Sequence, residues 1–262
     1  MFQPVVISSG LAGWQFLKST YDRQLETFNQ SPALKRDTDY FAEKIGSIRT
    51  AEELVSDRRL LGVALGAFGL QDDINNRYFI QKMLEEGTIA DDALANRFTD
   101  SRYRDLSEAF GFGPGEVTGG LIPGFAEGII DRFRAASFEI ATGNQDESMR
   151  IALYAERVLP DVVGTDASEA SKWFSIMGQP PLRSLFETAL GLPSGFGQAD
   201  IDQQLAVFQE RAERLFSVTD PADLADPDIM QNVVNTYLAR SQINSFSTGT
   251  SGASIALTLL GG

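Results

Sequence analysis

"DRRLLGVALGAFGL", residues 57–70, is the stretch whose reading decides the fold of this chain. Leu60, Leu61, Ala64, Leu65 and Phe68 recur at spacings of three and four, which is a helical period. The stretch is also apolar almost all round, which marks a helix buried on every side. Its apolar run, residues 60–70, is well short of the ~20 residues that a bilayer crossing needs. Asp57 stands where a helix start wants a side-chain acceptor, and Gly69 where a left-handed residue would end the helix. Gly62 and Gly66 lie one turn apart inside it. Glycine in a helix interior costs about 1 kcal/mol relative to alanine, so the pair predicts that another backbone approaches this face, and that leucine at Gly62 is severely destabilising.

Helical patterns continue outward in both directions. Trp14, Leu17, Tyr21, Leu25 and Phe28 form one apolar stripe, and Phe41, Ile45 and Ile48 a shorter one. Thr50 to Glu53 has the Thr-x-x-Glu spacing of a capping box. Further helices are predicted over 74–84, stopping near Gly87, over 92–98, and over 101–110, stopped by Gly111. "GFGPGEVTGGLIPG", residues 111–124, is too rich in glycine and proline for a regular element and reads as a loop or hinge. Periodicity resumes through Ile129, Phe133, Ala136 and Ile140, runs on through Met149, Leu153 and Val158, and returns over 168–177, 181–190, 201–216 and 227–243. Only "QPVVIS" and "SIALTLL", one near each end, lean towards strand.

The expectation is an all-α, multihelical fold with at most short terminal strands. "LLGVALGAFGL", residues 60–70, can be laid over "LRSLFETALGL", residues 182–192, with Leu, Ala, Gly and Leu in register. This faint echo suggests two related helical subdomains. The organisation expected is an N-terminal segment (1–18), a helical subdomain (19–110), the hinge or loop (111–124), a second helical subdomain (125–243) and a flexible tail (244–262).

Composition narrows the chemistry. The 262 residues suffice for a sizeable core without metals or disulfides. Lys and Arg number 22 against 36 Asp and Glu, a formal charge of −14. Such a balance disfavours nucleic-acid phosphates and anionic lipid as partners. The chain has no His and no Cys, which removes imidazole bases, thiolate nucleophiles, disulfides and the usual zinc ligands. The amino-terminal apolar stretch lacks a preceding positive charge, so no secretory signal peptide is expected.

Asp72 with Asp73, Asp91 with Asp92, and the run Asp220, Asp223, Asp226 and Asp228 are carboxylate groups at predicted helix starts. Capping explains them better than metal binding there. "GFGPG", residues 111–115, lacks the Lys-Ser/Thr and the preceding strand of a phosphate loop. No metal, cofactor or catalytic residue is predicted.

"DYFAEKIGSI", "LVSDRRLLGVALGAFGL", "FIQKMLEEGT", "LANRFTDSRYRDLSEAFGF" and "RSLFETALGLP" resemble the motifs of a bacterial family of unknown function whose members are often encoded among flagellar genes. The resemblance spans residues 38–240, and "TDSRYRDLSEAFGF", residues 99–112, is its most specific piece. It implies a multihelical fold and an association with flagellar assembly or function, and it supplies no catalytic residues.

Two function classes follow. The first is a non-enzymatic component of the flagellar system that binds other proteins, cytoplasmic or attached to the apparatus, without membrane insertion and with self-association open to it. Its docking element would be the tail, where a polar linker leads to Ile255, Leu257, Leu259 and Leu260. The alternative is a small-ligand binder or enzyme with a cleft between helical subdomains, in which Arg102, Tyr103 and Arg104 would contact an anion.

Overall fold

The structure is a computed structural model and describes residues 2–249. Among the described residues the elements are thirteen α-helices joined by loops and short 3-10 turns, with no strand. In chain order they are α1 (Gly10–Asn29), α2 (Pro32–Lys44), α3 (Ala51–Ser56), α4 (Arg58–Ala67), α5 (Arg77–Glu86), α6 (Leu94–Arg97), α7 (Arg102–Phe110), α8 (Phe125–Gly143), α9 (Glu147–Val163), α10 (Glu169–Gly178), α11 (Pro180–Ala189), α12 (Ile201–Phe216) and α13 (Pro227–Gly249). The all-α, multihelical expectation is therefore met.

The helices group into two compact units. Among the described residues the first comprises residues 2–5 together with Thr20–Asn144, and the second comprises Val6–Ser19 with residues 145–249. The 111–124 segment is a loop with one 3-10 turn, Gly119–Leu121, and it lies within the first unit. The division falls later than that loop, where α8 ends and Asp146 caps α9 through the Ser148 amide. The physical reason is α8 itself, whose Ile129 and Ile130 belong to the same core as α4.

In the first unit α4 is the central element. Leu60, Leu61, Val63, Ala64, Leu65, Gly66 and Ala67 are all buried, against α8, α2 and α3. Asp57 caps it by accepting from the Arg59 and Leu60 amides, and itself accepts the Tyr40 hydroxyl at 2.5 Å. Thr50 and Glu53 form the expected capping box at α3. The chain leaves α4 through Gly69 at φ +72°, with the Leu70 amide bonded back to the Leu65 carbonyl at 2.8 Å.

The two glycines of α4 have different neighbours. A Cβ on Gly66 would lie 2.7 Å from the Phe133 ring of α8, whereas one on Gly62 would meet only the tip of Ile74 at 4.0 Å. The close approach expected of the pair is thus at Gly66 alone, and the neighbour is a ring rather than a backbone. Packing chooses the face, and spacing by itself does not.

The second unit is built on α11, which packs against α9, α13 and α10. Its Leu182, Leu185, Phe186 and Ala189 are buried, and Trp173 of α10 meets Phe186 and Phe208 edge to face. The first half of α1 belongs here, with Lys18 paired to Glu156.

Three expectations about the chain ends are revised or left open. "QPVVIS" forms no strand; the Val5 amide and carbonyl are instead bonded by the side-chain amide of Gln24 at 2.6 and 3.3 Å. Helix α13 continues to Gly249, past the end expected near residue 243. "SIALTLL", with Ile255, Leu257, Leu259 and Leu260, lies outside the described residues.

Candidate functional site

Two constellations stand in the first unit, and the sequence singles out the residues of the first alone. The first gathers around the end of α4. Arg102, at the start of α7, gives one guanidinium nitrogen to the Gly69 carbonyl at 2.7 Å. Its other two nitrogens hold both Asp100 oxygens, at 2.6–3.1 Å. Asp100 also accepts the Arg102 amide, so it caps α7 while orienting the arginine. The Tyr103 hydroxyl donates to Asp73 at 2.5 Å, and its ring meets Phe79 and Phe98. Burial, and then the Asp73 carboxylate, push the Tyr103 hydroxyl pKa well up.

The structure thus brings Arg102 and Tyr103 together with Asp100 and Asp73, and uses their polar groups within the protein. Arg104 is exposed and stands apart from them. A guanidinium on the carbonyl at a helix end satisfies a group that the helix leaves orphaned, and a bidentate Arg–carboxylate pair fixes the direction of approach. One turn on, Asp105 is half-buried. Burial, and then Glu108, raise its pKa to about 6, against the opposing influence of Arg104 and Arg132.

The second constellation is a pair of loops, 87–93 and 111–118, clamped by one carboxylate. One Glu116 oxygen accepts the Thr88 amide at 2.6 Å and the Thr88 hydroxyl at 2.8 Å, while the other accepts the Gly113 amide at 3.0 Å. The backbones touch, since a Cβ on Gly113 would lie 2.4 Å from the Gly87 Cα. Gly87 also holds φ +67°, so glycine is required there on both counts. Asn96 ties the first loop from beneath, donating to the Thr88 and Ala90 carbonyls.

On this fixed backbone the apolar side chains face water. Ile89 is 65% exposed and Val117 68% exposed, and further along the second loop Leu121 is 57% and Ile122 50% exposed. Asp91 and Asp92, expected to cap a helix, do not: the Leu94 amide at the start of α6 goes to Glu86 at 2.7 Å. Both aspartates are exposed, without a side-chain partner among the described residues. Sequence reading missed this site because exposure leaves no mark on composition. The available signal was the glycine density of 111–120, which a flexible hinge and a close backbone contact produce alike.

Asp72 and Asp73, also expected to cap, do not: their short 3-10 turn has no side-chain cap, and Asp73 accepts from the Tyr103 hydroxyl and the Asn76 side-chain amide. Asp220, Asp223 and Asp226, by contrast, act as expected. Asp220 and Asp223 form a capping box, and Asp226 accepts the Asp228 and Ile229 amides at the start of α13. Among the described residues no group of three acidic side chains is arranged to hold a metal ion, and no helix is long and apolar enough to cross a membrane.

A family model described as a protein of unknown function, DUF1217, matches residues 67–230 of this chain. That span contains both constellations. The X-ray crystal structure of a protein from Agrobacterium tumefaciens superposes with a TM-score of 0.74 at 25% identity, covering 89% of this chain and 93% of the other. No curated protein matches.

Proposed function

The chain belongs to the DUF1217 family, and on that footing we propose that it is a non-enzymatic component of the bacterial flagellar system that works by binding other proteins. The observation that carries this reading is the exposure of Ile89 and Val117 on loops that Glu116 ties together. Apolar side chains on a preorganised backbone lose little freedom on docking, which is how a small surface gains affinity. The flagellar setting is what the sequence resemblance implies. The internal use of Arg102 and Tyr103 weighs against the anion-contact alternative.

The test is affinity purification from a flagellated bacterium that encodes the protein, followed by mass spectrometry. Three forms are compared: the full chain, one ending at Gly249, and one carrying Ile89→Ser with Val117→Ser. Cutting after Gly249 keeps all of α13. Flagellar components are expected with the full chain. Their loss on truncation assigns docking to the tail with Ile255, Leu257, Leu259 and Leu260, and their loss in the double variant assigns it to the loops. If the full chain captures no flagellar component, the flagellar reading fails.

A further inference from the structure

The clamped loops carry a charge pattern that selects their partner. Residues 83–96 contain Glu85, Glu86, Asp91 and Asp92 and no basic residue; residues 105–131 contain Asp105, Glu108, Glu116, Glu127 and Asp131 and again none. Asp91 and Asp92 lie within three residues of Ile89, exposed and unpaired among the described residues. Glu116 is committed to the Thr88 and Gly113 amides, so it fixes the backbone while the free aspartates set the local field.

We propose that this face is the docking surface for a cationic amphipathic segment of a partner protein, whose apolar side chains cover Ile89 and Val117 and whose Lys or Arg side chains meet Asp91 and Asp92. The inference rests on the protein-binding reading above and names the partner chemistry at the same surface. A second copy of this chain is the wrong occupant, because it would set acidic loops against acidic loops in a protein of charge −14. An anionic membrane is repelled for the same reason. A basic amphipathic helix satisfies both parts of the surface, with steering from its charges and affinity from its apolar stripe.

The experiment titrates the full-length protein into a fluorescently labelled leucine–lysine amphipathic peptide about five turns long, reading anisotropy at low and at raised salt. A leucine–glutamate peptide of the same pattern is the control probe. Ile89→Ser with Val117→Ser is expected to weaken leucine–lysine binding at least tenfold. Asp91→Asn with Asp92→Asn is expected to weaken it several-fold more than the charge-matched pair Asp202→Asn with Glu213→Gln on α12. Raised salt weakens the wild type.

All the altered side chains are exposed, so circular dichroism and the melting temperature should not change. Were the apolar double variant to unfold, Ile89→Thr and Val117→Thr would be tested singly, each with a loss of a few-fold. Equal binding by the folded apolar variants, equal loss from the α12 pair, or equal binding of the leucine–glutamate peptide overturns the proposal. Flagellar components that co-purify undiminished with the apolar double variant would sink this surface and leave the protein-binding reading standing.

Discussion

Gly62 and Gly66 occupy successive turns of one helix, and their surroundings dictate opposite outcomes on substitution. Gly66→Ala drives a methyl into the Phe133 ring and is expected to cost about 1–3 kcal/mol, the range for overpacking a core. Gly62→Ala meets almost nothing and should gain up to about 1 kcal/mol from helix propensity. Urea denaturation of both variants checks the pair, and equal destabilisation would refute the packing described for α4. Asp105 gives a second test. Its folded pKa, about 6, lies above the ordinary carboxylate value of ~3.9. A raised pKa means that the folded state favours the protonated form, so the contribution of this group to stability is full below pH ~4 and is lost as pH rises through ~6. Asp105→Asn should therefore stabilise the protein at pH ~7 by about 1–2 kcal/mol after discounting for partial exposure. Melts across this range should show the gain vanish by pH ~4; a gain independent of pH would contradict the burial of that carboxyl.

Helix ends and loop clamps act at the scale of elements. Asp57→Ala removes the cap of the most buried helix and the acceptor of Tyr40, for an expected loss of about 1–2 kcal/mol. The ends of α4 and α11 share one geometry. Gly69 and Gly191 are both left-handed, and the amides of Leu70 and Leu192 both reach back to close the turn at 2.8 Å. The sequence predicts the end at Gly69, since left-handed backbone favours glycine locally, and the aligned "ETALGL" string carries its glycine at the matching place. The same strings say nothing of which arginine approaches each end, Arg102 at Gly69 and Arg240 at Gly191, because that is a tertiary matter. Glu116→Gln weakens the clamp on the loops. Hydrogen exchange at the Thr88 and Gly113 amides should speed up, while the α4 amides keep their protection. Unchanged exchange at both loop amides would show that the glycine contacts hold the loops without the carboxylate.

For the whole molecule, the grouping of segments predicts which fragments fold. Residues 20–144 contain α2 through α8 and the core around α4, and are expected to melt cooperatively. Residues 145–262 alone lack Trp14 and Leu17, both buried, and the helix half that carries them, so supplying residues 6–19 as a peptide should raise their helicity. A cut at residue 124 removes α8 from α4 and should leave the amino-terminal piece largely unfolded; circular dichroism melts compare all of these. If that shorter piece folds as well as 20–144, the grouping of α8 with α4 is wrong. The sequence by itself determined the all-α class, most helix spans and the caps at Thr50, Asp57 and Asp220, because periodicity and capping depend on residues within a turn or two of one another. Only the tertiary structure decided that Gly66 rather than Gly62 is the tight contact, that Arg102 and Tyr103 are consumed internally, that the chain divides after Asn144, and that Ile89 and Val117 face water. Each of these depends on which distant segment fills the space beside a residue, and an apolar or charged side chain reads the same in sequence whether that space holds protein or solvent.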